Sequence, residues 1–192
     1  ISGERKNKEN DLWLTGGLKI TPLKDWTINV DYTYNMYILS KKQHGKEILE
    51  HTANPDIVTV FPHTTPSRVK FTTDDNYYQT FNAYTDYTKS LGKHNIKLLL
   101  GYNYETKSYR WFNAERENLI SNDLPGLGQA YGEKYNGSGQ HSWATMGYFA
   151  RINYNYAERY LLELNGRYDG SSKFPKDKRF VFFPSVSAAW RI

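Results

Sequence analysis

The sequence predicts an all-β chain: an antiparallel transmembrane β-barrel segment of about seven strands, cut from a larger barrel. Three observations predict it. Seven segments alternate apolar and polar side chains with period two, as strands do when their two faces meet different surroundings. The links between them alternate short and long along the chain. Aromatic residues make up 16% of the chain, with 17 Tyr and 5 Trp, and gather near the ends of the apolar faces.

The elements follow in order. The first strand carries Leu12, Leu14, Leu18 and Ile20 on one face. The second is the clearest: Trp26, Ile28, Val30, Tyr32, Tyr34, Met36 and Ile38 oppose Thr27, Asn29, Asp31, Thr33 and Asn35. The third is weaker, because Gln79 and Thr85 interrupt Tyr77, Phe81, Ala83 and Tyr87. In the fourth, Ile96, Leu98, Leu100, Tyr102 and Tyr104 oppose Asn95, Lys97, Asn103 and Glu105. The fifth sets Ala144, Met146, Tyr148, Ala150, Ile152, Tyr154 and Tyr156 against Thr145, Arg151, Asn153 and Asn155. The sixth sets Tyr160, Leu162, Leu164, Gly166 and Tyr168 against Glu163, Asn165, Arg167 and Asp169. The last shows Phe180, Phe182, Val186, Ala188 and Trp190. No helical periodicity competes.

Link lengths orient these strands. Thr21–Asp25, Leu91–His94 and Tyr156–Arg159 are tight turns, whereas the stretches at about 41–75 and 113–140 are long and polar, with a moderate hairpin at 170–179. Outer-membrane barrels keep turns on the periplasmic side and long loops outside, so 41–75 and 113–140 are expected to be extracellular. Several segments alternate for ten residues or more, as a tilted bilayer crossing of about 9 to 11 residues requires. Seven strands do not close a bacterial single-chain barrel, which uses an even number, and open edges are not tolerated in hydrocarbon. Further strands are therefore expected beyond this chain.

Bulk properties exclude other classes. There is no cysteine, hence no disulfide and no thiolate metal site. The formal charge of +5 is spread along the chain among acidic residues and not gathered on one face, so no nucleic-acid partner is expected. No run approaches the length of a membrane helix. Ile1–Asp11 is polar and lacks a signal peptide's apolar core, which is expected of a processed chain or a fragment.

The last third narrows the class. Arg151 to Tyr156 reads RINYNY, Tyr160 to Phe174 reads YLLELNGRYDGSSKF, and Phe182 to Arg191 reads FFPSVSAAWR. Together they resemble the mid-barrel region of the SusC/RagA family of TonB-dependent outer-membrane transporters. The specific match covers roughly the last 45 residues; the remainder fits in architecture. The resemblance implies a partial TonB-dependent receptor barrel domain over residues 1–192, from a barrel of about 22 strands. It implies a plug domain and a TonB-contacting segment outside this chain, and import of oligosaccharides or peptides with a SusD-like surface lipoprotein. It also implies a multi-pass protein in the outer-membrane lipid of a Gram-negative bacterium, with no enzymatic activity. In the hairpin, Asp169-Gly170-Ser171-Ser172 supplies turn formers, Lys173, Lys176, Lys178 and Arg179 hold its tip in water, and Pro184 is expected to mark a bulge or bend.

No catalytic residue, cofactor or metal site emerges. His44, His51 and His63 lie in the first long link at spacings that match no short metal motif. Asp74-Asp75 reads as a solvated loop end in preference to a glycosidase pair. The candidate substrate contacts are Arg110, Trp111, Asn113 and Arg116, with Tyr131 and Tyr135 from the following loop. Aromatic faces stack on sugar or peptide while Arg and Asn orient it. The blander fate for such residues is girdle or loop packing, and lipoprotein contact is a third. Two other functions compete: a soluble aromatic-rich β-sandwich that binds carbohydrate, and a barrel-based enzyme or adhesin.

Overall fold

Six of the seven long strands of the chain outrun the stretch over which their sequence alternates. In a computed structural model, described over residues 3–51, 53 and 56–192, the elements are β1 (Gly3–Leu23), β2 (Trp26–Gly45), β3 (Leu49–His51), β4 (Val58–Val60), β5 (Arg68–Leu91), β6 (His94–Glu117), β7 (Lys134–Tyr156), β8 (Tyr160–Ser171) and β9 (Phe180–Trp190). The long strands form one seven-stranded sheet in the order β1-β2-β5-β6-β7-β8-β9, so neighbours in the sheet are joined by hairpins. The only other sheet among the described residues is the β3-β4 hairpin, paired antiparallel. A sandwich needs two packed sheets, and no such partner sheet is present among the described residues.

By internal contacts the chain divides into two units: residues 1–12, 36–76 and 109–141, and residues 13–35, 77–108 and 142–192. In the second unit, Leu18, Ile20, Leu98, Leu100, Tyr148, Ile152, Leu162, Leu164, Phe182 and Val186 are 37 to 69% exposed. Rows of large apolar side chains left open in this way suit hydrocarbon and not water. Aromatic rings border them. Trp190 stacks on Tyr160 at 6.4 Å, Tyr160 on Tyr156 at 6.3 Å, and Tyr156 meets the His94 ring at 4.8 Å, a row across four strands beside the tight turns. Toward the other end Tyr168 stacks on Phe180 at 5.2 Å, and Tyr102 lies 5.0 Å from Tyr148. Tyr160 and Tyr168 are eight residues apart on β8, roughly 26 Å along the strand. At a tilt of about 40° that is a rise of roughly 20 Å, most of the apolar height of an outer-membrane barrel, about 25 Å.

The two polar interruptions of β5 are answered by these aromatics. Tyr32 donates its hydroxyl to Gln79 Oε1 at 3.1 Å, and Trp26 donates Nε1–H to Thr85 Oγ1 at 2.6 Å. A polar atom on an apolar face is costly unless paired, and here Gln79 Oε1 and Thr85 Oγ1 both accept a bond.

Three expectations need correction. The links are shorter than 41–75 and 113–140: β2 runs to Gly45 and β5 starts at Arg68, while β6 runs to Glu117 and β7 starts at Lys134. Beyond the bilayer both faces of a strand meet water, so alternation fades although pairing continues. The first tight turn is Lys24-Asp25, with Pro22 inside β1. Pro184 causes no bulge either, since the β8–β9 register passes unbroken through Gly166 opposite Pro184. Ser171 donates N–H to Arg179 C=O and Arg191 donates to Arg159 C=O. Hydrogen-bonded pairs thus fall on odd residues, and Pro184, at an even one, points its missing N–H away from β8.

Candidate functional site

The opposite face of the second unit is a hydrogen-bonded polar wall. Arg151 Nε donates to Asn165 Oδ1 at 2.6 Å, and Asn165 Nδ2 donates to Glu163 Oε1 at 2.7 Å. Arg167 grips Asp169 through Nη2 at 2.8 Å and Nε at 2.9 Å, and its guanidinium lies 5.7 Å from the centre of the Phe149 ring. The RYDGSS motif therefore divides by alternation: Arg167 and Asp169 serve the polar face, and Tyr168 the apolar one. Its glycine is needed because the Phe180 ring occupies the space a Cβ at Gly170 would take. Its second serine is a clamp, since Ser172 N–H donates to Ala144 C=O and Ala144 N–H to Ser172 Oγ, each at 2.8 Å. In the same unit a hollow of about 440 Å³ has a mixed lining, with Ser90, Asn95, Lys97, Asn153 and Ser187 beside Ile96, Tyr154, Leu161 and Leu162.

In the first unit, β6 and β7 build an aromatic patch. Tyr109 packs on His141 with ring centres 5.0 Å apart. Two residues on, the Trp111 indole lies against Gly139 and Gly137, with Nε1 only 2.6 Å from where a Gly139 Cβ would sit. Asn113 Nδ2 is 3.4 Å from the corresponding position at Gly137. The Gly-Ser-Gly of β7 is thus a flat bed on which Trp111 lies with Asn113 beside it. Tyr135 begins the same strand, and nearby Glu117, then burial and Glu133, push its hydroxyl above the ordinary phenol range.

The other expected contacts lie elsewhere. Arg110 donates Nη2–H to Asp75 Oδ2 at 2.8 Å. Arg116 donates Nη1–H to Leu127 C=O at 3.0 Å, tying the 118–133 link to β6. Tyr131 stands 72% exposed on that link. Trp111 and Asn113 are therefore gathered, while Arg110, Arg116 and Tyr131 are not. Asp74 and Asp75 separate too: Asp74 accepts from Lys41 Nζ at 3.0 Å and Tyr109 hydroxyl at 2.9 Å, a bond that pushes the Tyr109 hydroxyl up. Sequence reading missed Tyr109, His141 and the glycine bed; the Gly137-Ser138-Gly139 spacing was the available signal.

A strand sheet with a lipid-suited face, ring rows at both margins and a bonded polar face defines a stretch of transmembrane barrel wall. The chain belongs to the TonB-dependent receptor-like β-barrel family, whose model matches residues 2–192. Within that family it is of the SusC/RagA type. It is 28% identical over 182 residues to the TonB-dependent receptor SusC of Bacteroides thetaiotaomicron, covering 88% of this chain and 17% of that protein. TonB-dependent receptor P3 of Formosa agariphila is 32% identical over 111 residues, 57% of this chain and 11% of the relative. A solved structure of the RagAB peptide transporter superposes with a TM-score of 0.85 over 97% of this chain and 20% of its own, at 19% identity. The chain thus spans a fifth or less of the length of these relatives.

Proposed function

We propose that this chain supplies seven strands of the barrel of an outer-membrane importer that takes up oligosaccharides or peptides. It works together with a SusD-like surface lipoprotein and draws energy through TonB, whose contact segment lies in other parts of the protein. The links at 46–67 and 118–133 are extracellular. The observation that carries this reading is the division of the same strands into an apolar face edged with rings and a cross-linked polar face, which suits a wall between lipid and an aqueous lumen. The likeness to RagAB, a peptide transporter, supports the cargo class. Trp111 on its glycine bed offers a ring face for stacking, and Asn113 a polar group to orient what stacks there.

The test uses the full-length transporter. Trp111→Ala should reduce uptake of the cognate oligosaccharide or peptide by about ten-fold, while Phe112→Ala, one residue along and so on the opposite face, should leave uptake unchanged. Equal uptake in both variants would remove Trp111 from the substrate path.

A further inference from the structure

We propose that the apolar-side face of the first unit, at Lys6, Lys8 and Lys42, binds the phosphate groups of an anionic outer-leaflet lipid. The proposal rests on the barrel reading, and its starting point is how β1 and β2 sort their charges. Along β1 the side chains on the face of Leu12 are Asn10, Lys8, Lys6 and Glu4; along β2 those on the face of Ile38 are Ser40, Lys42 and His44. The other face takes the acids. Glu9 hydrogen-bonds Tyr37 there, and Lys41 is held by Asp74 at 3.0 Å.

The sorting is physical, not only periodic. Lys42 Nζ lies 5.4 Å from the centre of the Phe71 ring, a cation carried flat over an apolar surface. His44, two residues on, is 5% exposed, and burial, with Lys46 and Lys42 beside it, holds its imidazole below the ordinary range. The field on this face is thus positive. Glu4 is its only acid on these two strands; it meets Lys6 at 3.1 Å between side chains that are 70 and 56% exposed, a weak pair. Arg110 is not counted, because Asp75 neutralises it.

Height selects lipid as the occupant. Lys8 and Lys42 each lie four residues past the last large aliphatic side chain on this face of their strand, Leu12 and Ile38, or roughly 13 Å along it. After tilting, and with long side chains reaching back toward the interface, the ammonium groups fall at headgroup level. A soluble anion would have no reason to favour that level.

The experiment measures binding of bisphosphorylated lipid A, and of the same lipid with its phosphates removed, to the full-length transporter in neutral detergent. A cation near an anionic lipid surface contributes about a five-fold effect on binding, so Lys6→Gln/Lys8→Gln/Lys42→Gln should weaken the phosphorylated lipid about a hundred-fold. The corresponding triple Lys→Arg variant should bind as the parent does, and the dephosphorylated lipid should bind weakly throughout. If the Gln triple does not assemble, as judged by heat-modifiable gel mobility, single Lys42→Gln should still show the five-fold loss. Unchanged binding in the Gln variants, indifference to the phosphates, or full competition by inorganic phosphate would overturn the proposal. A parent protein that stays monomeric without detergent would instead overturn the barrel reading beneath it.

Discussion

Single side chains decide how closely the strands of this wall can approach. Gly101 is an example, because the Phe149 ring from β7 lies over it in the space a side chain would need. Gly101→Leu should therefore force the ring out of place and lower stability by about 1 to 3 kcal/mol, the usual cost of overpacking. Urea unfolding of the full-length barrel in vesicles checks this, and Gly128→Leu, with nothing within 4 Å of the new Cβ, is the neutral control. Such pairings were not legible in the sequence. Phe149 and Gly101 could each be placed on a polar-side row, yet which residue faces which depends on register, and alternation carries no register between β6 and β7. The same gap explains the candidate site. Trp111 and Asn113 stand among six candidate contacts in the sequence, and alternation alone sets Arg110 on the opposite face, but the glycines that seat them emerge only when β6 and β7 are aligned.

At the scale of the strand, alternation was readable wherever the two faces meet different solvents. Leu98 and Lys97 test that boundary. Leu98 sits midway along the apolar row of β6 between His94 and Tyr104, while Lys97 stands on the alternate, polar row of the same strand. Leu98→Lys should place a charge near the bilayer midplane at a cost of about 2 to 4 kcal/mol and abolish assembly into outer membranes. Lys97→Leu should assemble normally, with heat-modifiable mobility as the measurement. Equal behaviour would mean that lipid does not lie on the Leu98 side. The unread parts of the strands have a physical cause in common. From Ser40 to Gly45, Arg68 to Asn76 and Ser108 to Glu117, charged and polar residues occupy both faces, so pairing persists without a pattern to betray it. Pro184 misled for a related reason: a proline is disruptive only where its nitrogen would have faced a partner, and the side it faces follows from the hydrogen-bond phase of β8 and β9.

For the molecule as a whole, the sorting of links by length predicts a direction through the membrane. Three links, at Lys24-Asp25, Gly92-Lys93 and Ala157 to Arg159, are two or three residues long, and the links opposite them span 46–67, 118–133 and 172–179. The tight ones are bonded to their surroundings: Ala157 donates N–H to Lys93 C=O at 2.7 Å, and Thr88 to Asp25 C=O at 2.9 Å. Ala157 and Glu158 both adopt positive φ, 51° and 58°, as the tightest hairpin turns demand. Turns of this kind have no reach, which suits the periplasmic rim, while the longer links have the length to meet a partner or cargo outside. Because the chain contains no cysteine, one introduced at a time reports its own side without background from this segment. In cells making the full-length protein, Asp123→Cys should react with a membrane-impermeant maleimide while the outer membrane is intact. Glu158→Cys should react only after that membrane is opened, by at least about a ten-fold difference in labelling. The reverse pattern would turn the barrel over, and with it the placing of Trp111 on the entry side and of the lysine face in the outer leaflet.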